Sequence, residues 1–325
     1  MQKCYYIDSL PFINFYLQRG IMIYYPCKGK AVHIMLTVMA IILTLMLPVI
    51  ALAAENGRIV FSANVSGSWD IWTVSPYTQE MKQITSTPDD EHSPTVSPDG
   101  KEIVYISKRE LWIMKSDGSD RNRIPLPAGI YAQPVWSPDG QRVAFVKYTV
   151  LPSDESEIWS VKRNGAVWNE PERITIYPPM RLSPAFSPDN SRLAFTEFKR
   201  DELRGNIEEI VLMEFGKKKV TMVTSDNADS FDAVWSPDNQ ALAYTSNRDG
   251  NYDIWVVTLS DGKHVRITEN PLYDGEPAWS PDGKEIAFVS SRSGSKEIWI
   301  TPRTGGLQRQ VTKTGKTCKD PVWVK

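Results

Sequence analysis

The side chains best placed to do chemistry are three carboxylates at one recurring position. Asp232, Glu276 and Asp320 stand directly ahead of a proline or its replacement, in Asp232-Ala233, Glu276-Pro277 and Asp320-Pro321. Ser93, Gln133 and Ser183 hold the same position earlier in the chain. Carboxylates one repeat apart converge if the repeats form a ring. Together they would make an acidic site for a cation, a basic peptide end or Ca2+, which takes clustered carboxylate oxygens. Asp274 and Glu91 are expected close by, and His92, in Asp89-Asp90-Glu91-His92, at the same mouth. The competing reading is that these carboxylates cap the amides at strand starts.

Other chemistries find fewer residues. Beyond residue 53 the histidines are His92 and His264, and a metal centre usually wants three protein ligands. A histidine-rich metal site is therefore not available. His264 is expected in a solvent-facing turn on the opposite face. No Gly-x-Ser-x-Gly elbow occurs, and the serine of the recurrent Ser-Pro-Asp-Gly belongs to a turn rather than to a nucleophile. Cys318, the one cysteine beyond residue 53, is expected to be inert, in a domain without an internal disulfide.

Two surface features add to this. Trp136, Trp235, Trp279 and Trp323 share one repeat position, and Trp72, Trp112, Trp159, Trp255 and Trp299 share another. Aromatics locked to a repeat are packing residues, each supplying a few kcal/mol at ~25 cal/mol per Å² buried. Trp69 and Trp168 fall off register and are the better surface candidates. Two connections are long, Lys147–Glu157 and Glu197–Asn206. The second carries Lys199, Arg200, Asp201, Glu202 and Arg204, either as a partner footprint on the rim or as a solvated loop.

The elements that position these residues are legible as a repeat. Ser-Pro-Asp-Gly/Asn begins at Ser97, Ser137, Ser187, Ser236 and Ser280. A Pro-x-Trp type run precedes each copy. An Ile-Ala-Phe type run, an acidic-Ile-Trp run and an Arg-Ile-Thr run follow most copies. Short β-branched or aromatic runs between turn residues are strands. Proline presets φ at the second turn position, and Gly supplies φ > 0 at the fourth. Asn190 and Asn239 replace Gly there, as a backbone role allows. Four strands per 40–50 residues predict an all-β, six-bladed β-propeller over 57–325. Residues 58–85 supply three strands without a Pro-x-Trp strand, and Pro321-Val322-Trp323 is such a strand alone. The last strand is therefore expected to complete the first blade and remove the free edge.

The set Pro-x-Trp-Ser-Pro-Asp-Gly, Ile-Ala-Phe, Asp-Ile-Trp and Arg-Ile-Thr resembles the WD-like repeats of the TolB propeller family, over essentially all of 57–325. The resemblance implies a six-bladed propeller in the periplasm or on the cell surface. An α/β domain ahead of the propeller has no room between Ala54 and Arg58, and no hydrolase domain of the prolyl-oligopeptidase kind follows, so the propeller is expected on its own. Similar propellers include metal-dependent oligogalacturonate lyases, which makes a carbohydrate-active enzyme the alternative to a protein-binding role.

Residues 31–53 are almost wholly apolar, with Lys28 and Lys30 ahead and Ala51-Leu52-Ala53 at the end. This is the pattern of a signal peptide cleaved after Ala53, or else of an uncleaved membrane anchor. Residues 1–30 are read as an extended or mis-assigned N-terminal region, with translation starting at Met22. A formal net charge of −2 gives no basic footprint for nucleic acid. The expectation is an exported, monomeric, non-enzymatic propeller that binds an envelope protein or peptide and needs no cofactor, Ca2+ being the one candidate. N-terminal sequencing of the exported protein should begin at Ala54, and a first residue within 1–53 would identify an anchor.

Overall fold

Each Ser-Pro-Asp-Gly/Asn segment folds into a turn that satisfies its own polar groups. Gly100 N donates to Ser97 O at 2.8 Å, and Ser97 Oγ donates to Asp99 Oδ1 at 2.7 Å. Lys101 N donates to Asp99 Oδ1 and Glu102 N to Ser97 Oγ, so the serine both gives and receives. The fourth position is left-handed in every copy, with φ of 72° at Gly100, 59° at Asn190 and 61° at Asn239. The asparagines also tie blades together. Asn190 Nδ2 donates to Asp139 Oδ2 and Asn239 Nδ2 to Asp189 Oδ2, each at 2.8 Å.

These turns join the first two strands of each blade. The computed structural model describes residues 57–148, 155–175, 180–201, 205–217 and 219–324, together with a short pair between Leu17–Gln18 and Ile21–Met22. The expected signal or anchor at 31–53 lies outside the described residues. Residues 53–325 form one compact unit of six antiparallel sheets, and no helix occurs among the described residues. The inner strands are Cys318–Val324, Glu91–Val96, Ile130–Trp136, Arg181–Phe186, Ser230–Trp235 and Asp274–Trp279, for blades one to six. Each touches the next, and the sixth touches the first, which closes the ring. The closure is the expected one. Cys318–Val324 pairs with Arg58–Ala63, with Trp323 opposite Ile59 and Val322 opposite Val60.

The core lies within and between the blades. Phe61, Tyr105, Phe145, Phe195, Tyr244 and Phe288 occupy one position of the second strands and are all buried. Trp136, Trp235, Trp279 and Trp323 are buried as expected, and Arg192 and Arg303 cover the rings of Trp235 and Trp279. A polar lock repeats as well. The threonine ending the outer strand accepts a hydrogen bond from the third-strand isoleucine in five blades: Thr85 from Ile71, Thr175 from Ile158, Thr224 from Ile210, Thr268 from Ile254 and Thr312 from Ile298, at 2.8–3.0 Å.

Three expectations are corrected. Trp168 is not a free surface aromatic. It packs 6.1 Å from Trp136 and under Arg163, because an extra short strand, Val167–Trp168, folds onto blade three. His264 lies in the outer strand of blade five, His264–Arg266, where its Nδ1 is 2.7 Å from Tyr244 Oη and burial lowers its pKa. The rim connection at 197–206 is a hairpin rather than a loop. Arg192–Asp201 and Gly205–Glu214 stay paired out to Asp201 opposite Gly205, and Ile207 is buried on the way. Lys199 is exposed on it; Glu202 and Arg204 lie outside the described residues.

Trp323→Ala removes a buried ring at the closure and should cost about 3–5 kcal/mol in urea unfolding. Leu307→Ala, at a side chain 89% exposed, should change stability by less than about 0.5 kcal/mol.

Candidate binding site at the channel mouth

All six inner strands break register at the same place. The ladder shifts between His92 and Thr95, Ala132 and Val135, Leu182 and Ala185, Phe231 and Val234, Gly275 and Ala278, and Lys319 and Val322. The first residue of each gap is left-handed. Ser93, Gln133, Ser183, Asp232, Glu276 and Asp320 have φ of 47–55°. A non-glycine residue pays roughly 1–2 kcal/mol for this conformation, so each bulge must be held by its surroundings.

The holding bonds run from blade to blade. Ser93 N donates to Asp320 Oδ2 at 3.0 Å, Ser183 N to Gln133 Oε1 at 2.8 Å, and Asp320 N to Glu276 Oε2 at 2.7 Å. In each case the amide reaches the side chain at the same position on the preceding blade. Ser183 Oγ donates to Asp232 Oδ1 at 2.5 Å, and Glu276 N donates to Thr245 Oγ1 at 3.1 Å. The amide-capping role weighed from the sequence is therefore present at Glu276 and Asp320, within the group of carboxylates that the ring brings together.

The charges of that group act on one another. Burial, then Asp320 and Asp232, push Glu276 up to about 8, against Lys296, whose Nζ is 3.9 Å from Glu276 Oε1. Burial and Asp320 raise Asp232, with Ser183 opposing. Two members escaped the sequence reading. Glu208 is pushed up to about 7 by burial, Asp229 and Asp232. Asp229 accepts from Tyr252 Oη at 3.2 Å. The available signal was the doubled acid Glu208-Glu209, where the other third strands carry one acid at this place. Lys319 lies 3.8 Å from Asp320 Oδ2 and over the ring of Trp69, so Trp69 borders the mouth. His92 stands beside Asp320, and burial followed by Lys319 lowers its pKa.

Asp274 and Glu91 do not join this group. Both open inner strands two residues before the bulge, where the side chain enters the blade junction. Asp274 is fully buried and accepts from Arg292 Nη2 at 2.5 Å. Glu91 is 2% exposed and accepts from Thr87 Oγ1. Among the described residues no cluster of three or more His, Cys, Asp or Glu side chains is arranged to hold one metal ion through those side chains alone. Cys318 is buried in its inner strand, where burial pushes its thiol up to about 12.

A closed ring of six antiparallel blades, with carboxylates at the channel position of three neighbouring blades, defines the class: a six-bladed propeller. Residues 155–325, over half of the chain, match the TolB beta propeller domain, and the protein belongs to that family. It is similar to dipeptidyl-peptidase 5 of Porphyromonas gingivalis, 25% identical over 142 residues that cover 41% of this chain and 20% of the peptidase. Among solved structures it resembles TolB from Acinetobacter baumannii, with a TM-score of 0.70 and 20% identity over 83% of this chain and 67% of that one. It also resembles an oligogalacturonate lyase in complex with manganese, with a TM-score of 0.56 and 17% identity over 80% and 74% of the two chains. At these identities the structural likeness concerns the fold. The chain spans 20–36% of the length of the first curated relatives it matches.

Raised native carboxylate pKa values mean that the folded state binds protons the unfolded state releases. Their contribution is full below the unfolded value near 4.5 and is lost as pH rises through 7 to 8. Urea stability should therefore fall between pH 5 and 8.5. Glu276→Gln should flatten that fall and exceed the wild type at pH 8.5 by about 2 kcal/mol.

Proposed function

We propose that this protein is an exported, non-enzymatic propeller that binds a protein or peptide of the cell envelope through its channel mouth and loop-rich face. The observation that carries the reading is the convergence of Asp232, Glu276, Asp320, Glu208 and Asp229 on neighbouring blades, around a mouth where Lys296 and Lys319 only partly offset them. The chemistry that fits is a cationic segment. A protonated amine or guanidinium entering the mouth would favour the ionised forms of Glu276 and Glu208 and release their protons. Family membership supports a propeller used as a binding platform, and the hairpin 192–214 between blades three and five supplies a second, charged surface beside it. Ca2+ at the mouth is the one cofactor this reading admits.

Crosslinking in intact cells followed by capture tests this. The combined change Asp232→Asn and Glu276→Gln should lower capture of the main partner at least tenfold. Equal capture, with loss only on shortening the hairpin at 199–206, would move the site to the rim. Cleavage of oligogalacturonate by the purified protein would replace the binding role with the lyase one.

A further inference from the structure

An acid precedes the third-strand Ile/Leu in all six blades: Asp70, Glu110, Glu157, Glu209, Asp253 and Glu297. Asp70, Asp253 and Glu297 each approach the residue that opens the next inner strand. At two junctions that residue is also acidic, which sets Asp70 with Glu91 and Asp253 with Asp274. The second pair is neutralised by protein. Arg266 Nη2 lies 2.6 Å from Asp253 Oδ2, and Arg292 Nη2 lies 2.5 Å from Asp274 Oδ2. The first pair has no such partner. Where blades two, three and five carry Arg123, Arg173 and Arg266 against their acid, blade one carries Gln83, which turns to Ser66. The nearby Arg121 is committed to the carbonyls of Gly118 and Ile84.

The two carboxylates are nonetheless buried, at 0% and 2% exposure. Each meets hydroxyls through one oxygen, Asp70 Oδ2 from Ser66 and Ser68, and Glu91 Oε1 from Thr87. Asp70 Oδ1 and Glu91 Oε2 have no hydrogen-bond partner. Arg121 acts on Glu91 only at a distance, and burying two carboxylates with no ion-paired counter-charge is strongly unfavourable. We propose that the junction of blades one and two is a cation site, occupied by Ca2+, with Asp70 Oδ1 and Glu91 Oε2 as its charged ligands. The groups that meet the two carboxylates are oxygens, the hydroxyls of Ser66, Ser68 and Thr87, with the Thr87 carbonyl against Ser68, and oxygen is the donor a hard cation takes. The site is separate from the channel mouth, so it stands or falls independently of the partner-binding role. In this role Ca2+ does for the first blade what Arg266 and Arg292 do for the fifth and sixth.

Calorimetric titration of chelator-treated protein with CaCl2, and melting with and without it, test the proposal. The wild type should bind one Ca2+ per chain and melt roughly 5 °C higher at saturation. Asp70→Asn and Glu91→Gln should lose that rise and melt no lower than the wild type in chelator. Gln83→Arg, which introduces the arginine that blades two, three and five carry at this position, should be stabilised in chelator and indifferent to Ca2+, while Leu307→Ala, at an exposed side chain, should respond like the wild type. Absence of Ca2+ binding by the wild type would overturn the proposal in favour of a protonated carboxylate pair. A rise that survives in Glu91→Gln but vanishes in Glu276→Gln would overturn it in favour of the mouth.

Discussion

Strand pairing between residues 318–324 and 58–63 brings the two ends of the propeller sequence into one sheet, and the rest of the ring depends on it. Without that sheet the first blade would lack its inner strand, and blades six and two would each face an open edge. The pairing also sets Asp320 between Glu276 and Ser93. Its amide then donates backward to Glu276, and its carboxylate accepts forward from Ser93. One short strand thus closes the hydrophobic core and completes the polar circuit of the channel.

Much of this was legible because it is repeated. The Ser-Pro-Asp-Gly turn, its Asn variants and the buried tryptophans recur at fixed offsets, so their role shows in spacing alone. The closure was legible from a first blade short of one strand and a lone strand at the end. The convergence of Asp232, Glu276 and Asp320 followed from ring geometry once their shared position was recognised. The hydrophobic period also misled in one place. Residues 197–206 looked like a loop because charges interrupt the apolar pattern, yet backbone pairing continues through them.

What escaped the sequence depends on direction rather than position. Glu91 and Asp274 lie only two residues from the bulge, close enough in sequence to suggest the same mouth. The left-handed turn of the backbone at Ser93 and Glu276 separates them from it, sending one residue to the channel and the other into a blade junction. Glu208 was missed for the opposite reason. It is distant in sequence from Asp232 and meets it only through the packing of blade four on blade five.

The left-handed residue on each inner strand has one further consequence. The bulge shapes the backbone at all six positions, while only some of their side chains, Gln133, Glu276 and Asp320, also hold the amide of the next blade. Here the six positions read Ser, Gln, Ser, Asp, Glu, Asp around the ring. Substitutions among small and unbranched polar residues can redraw the lining one blade at a time, whereas β-branched side chains are disfavoured by the conformation itself. A propeller built this way can change the charge and polarity of its channel lining while its sheets, turns and closure stay as they are.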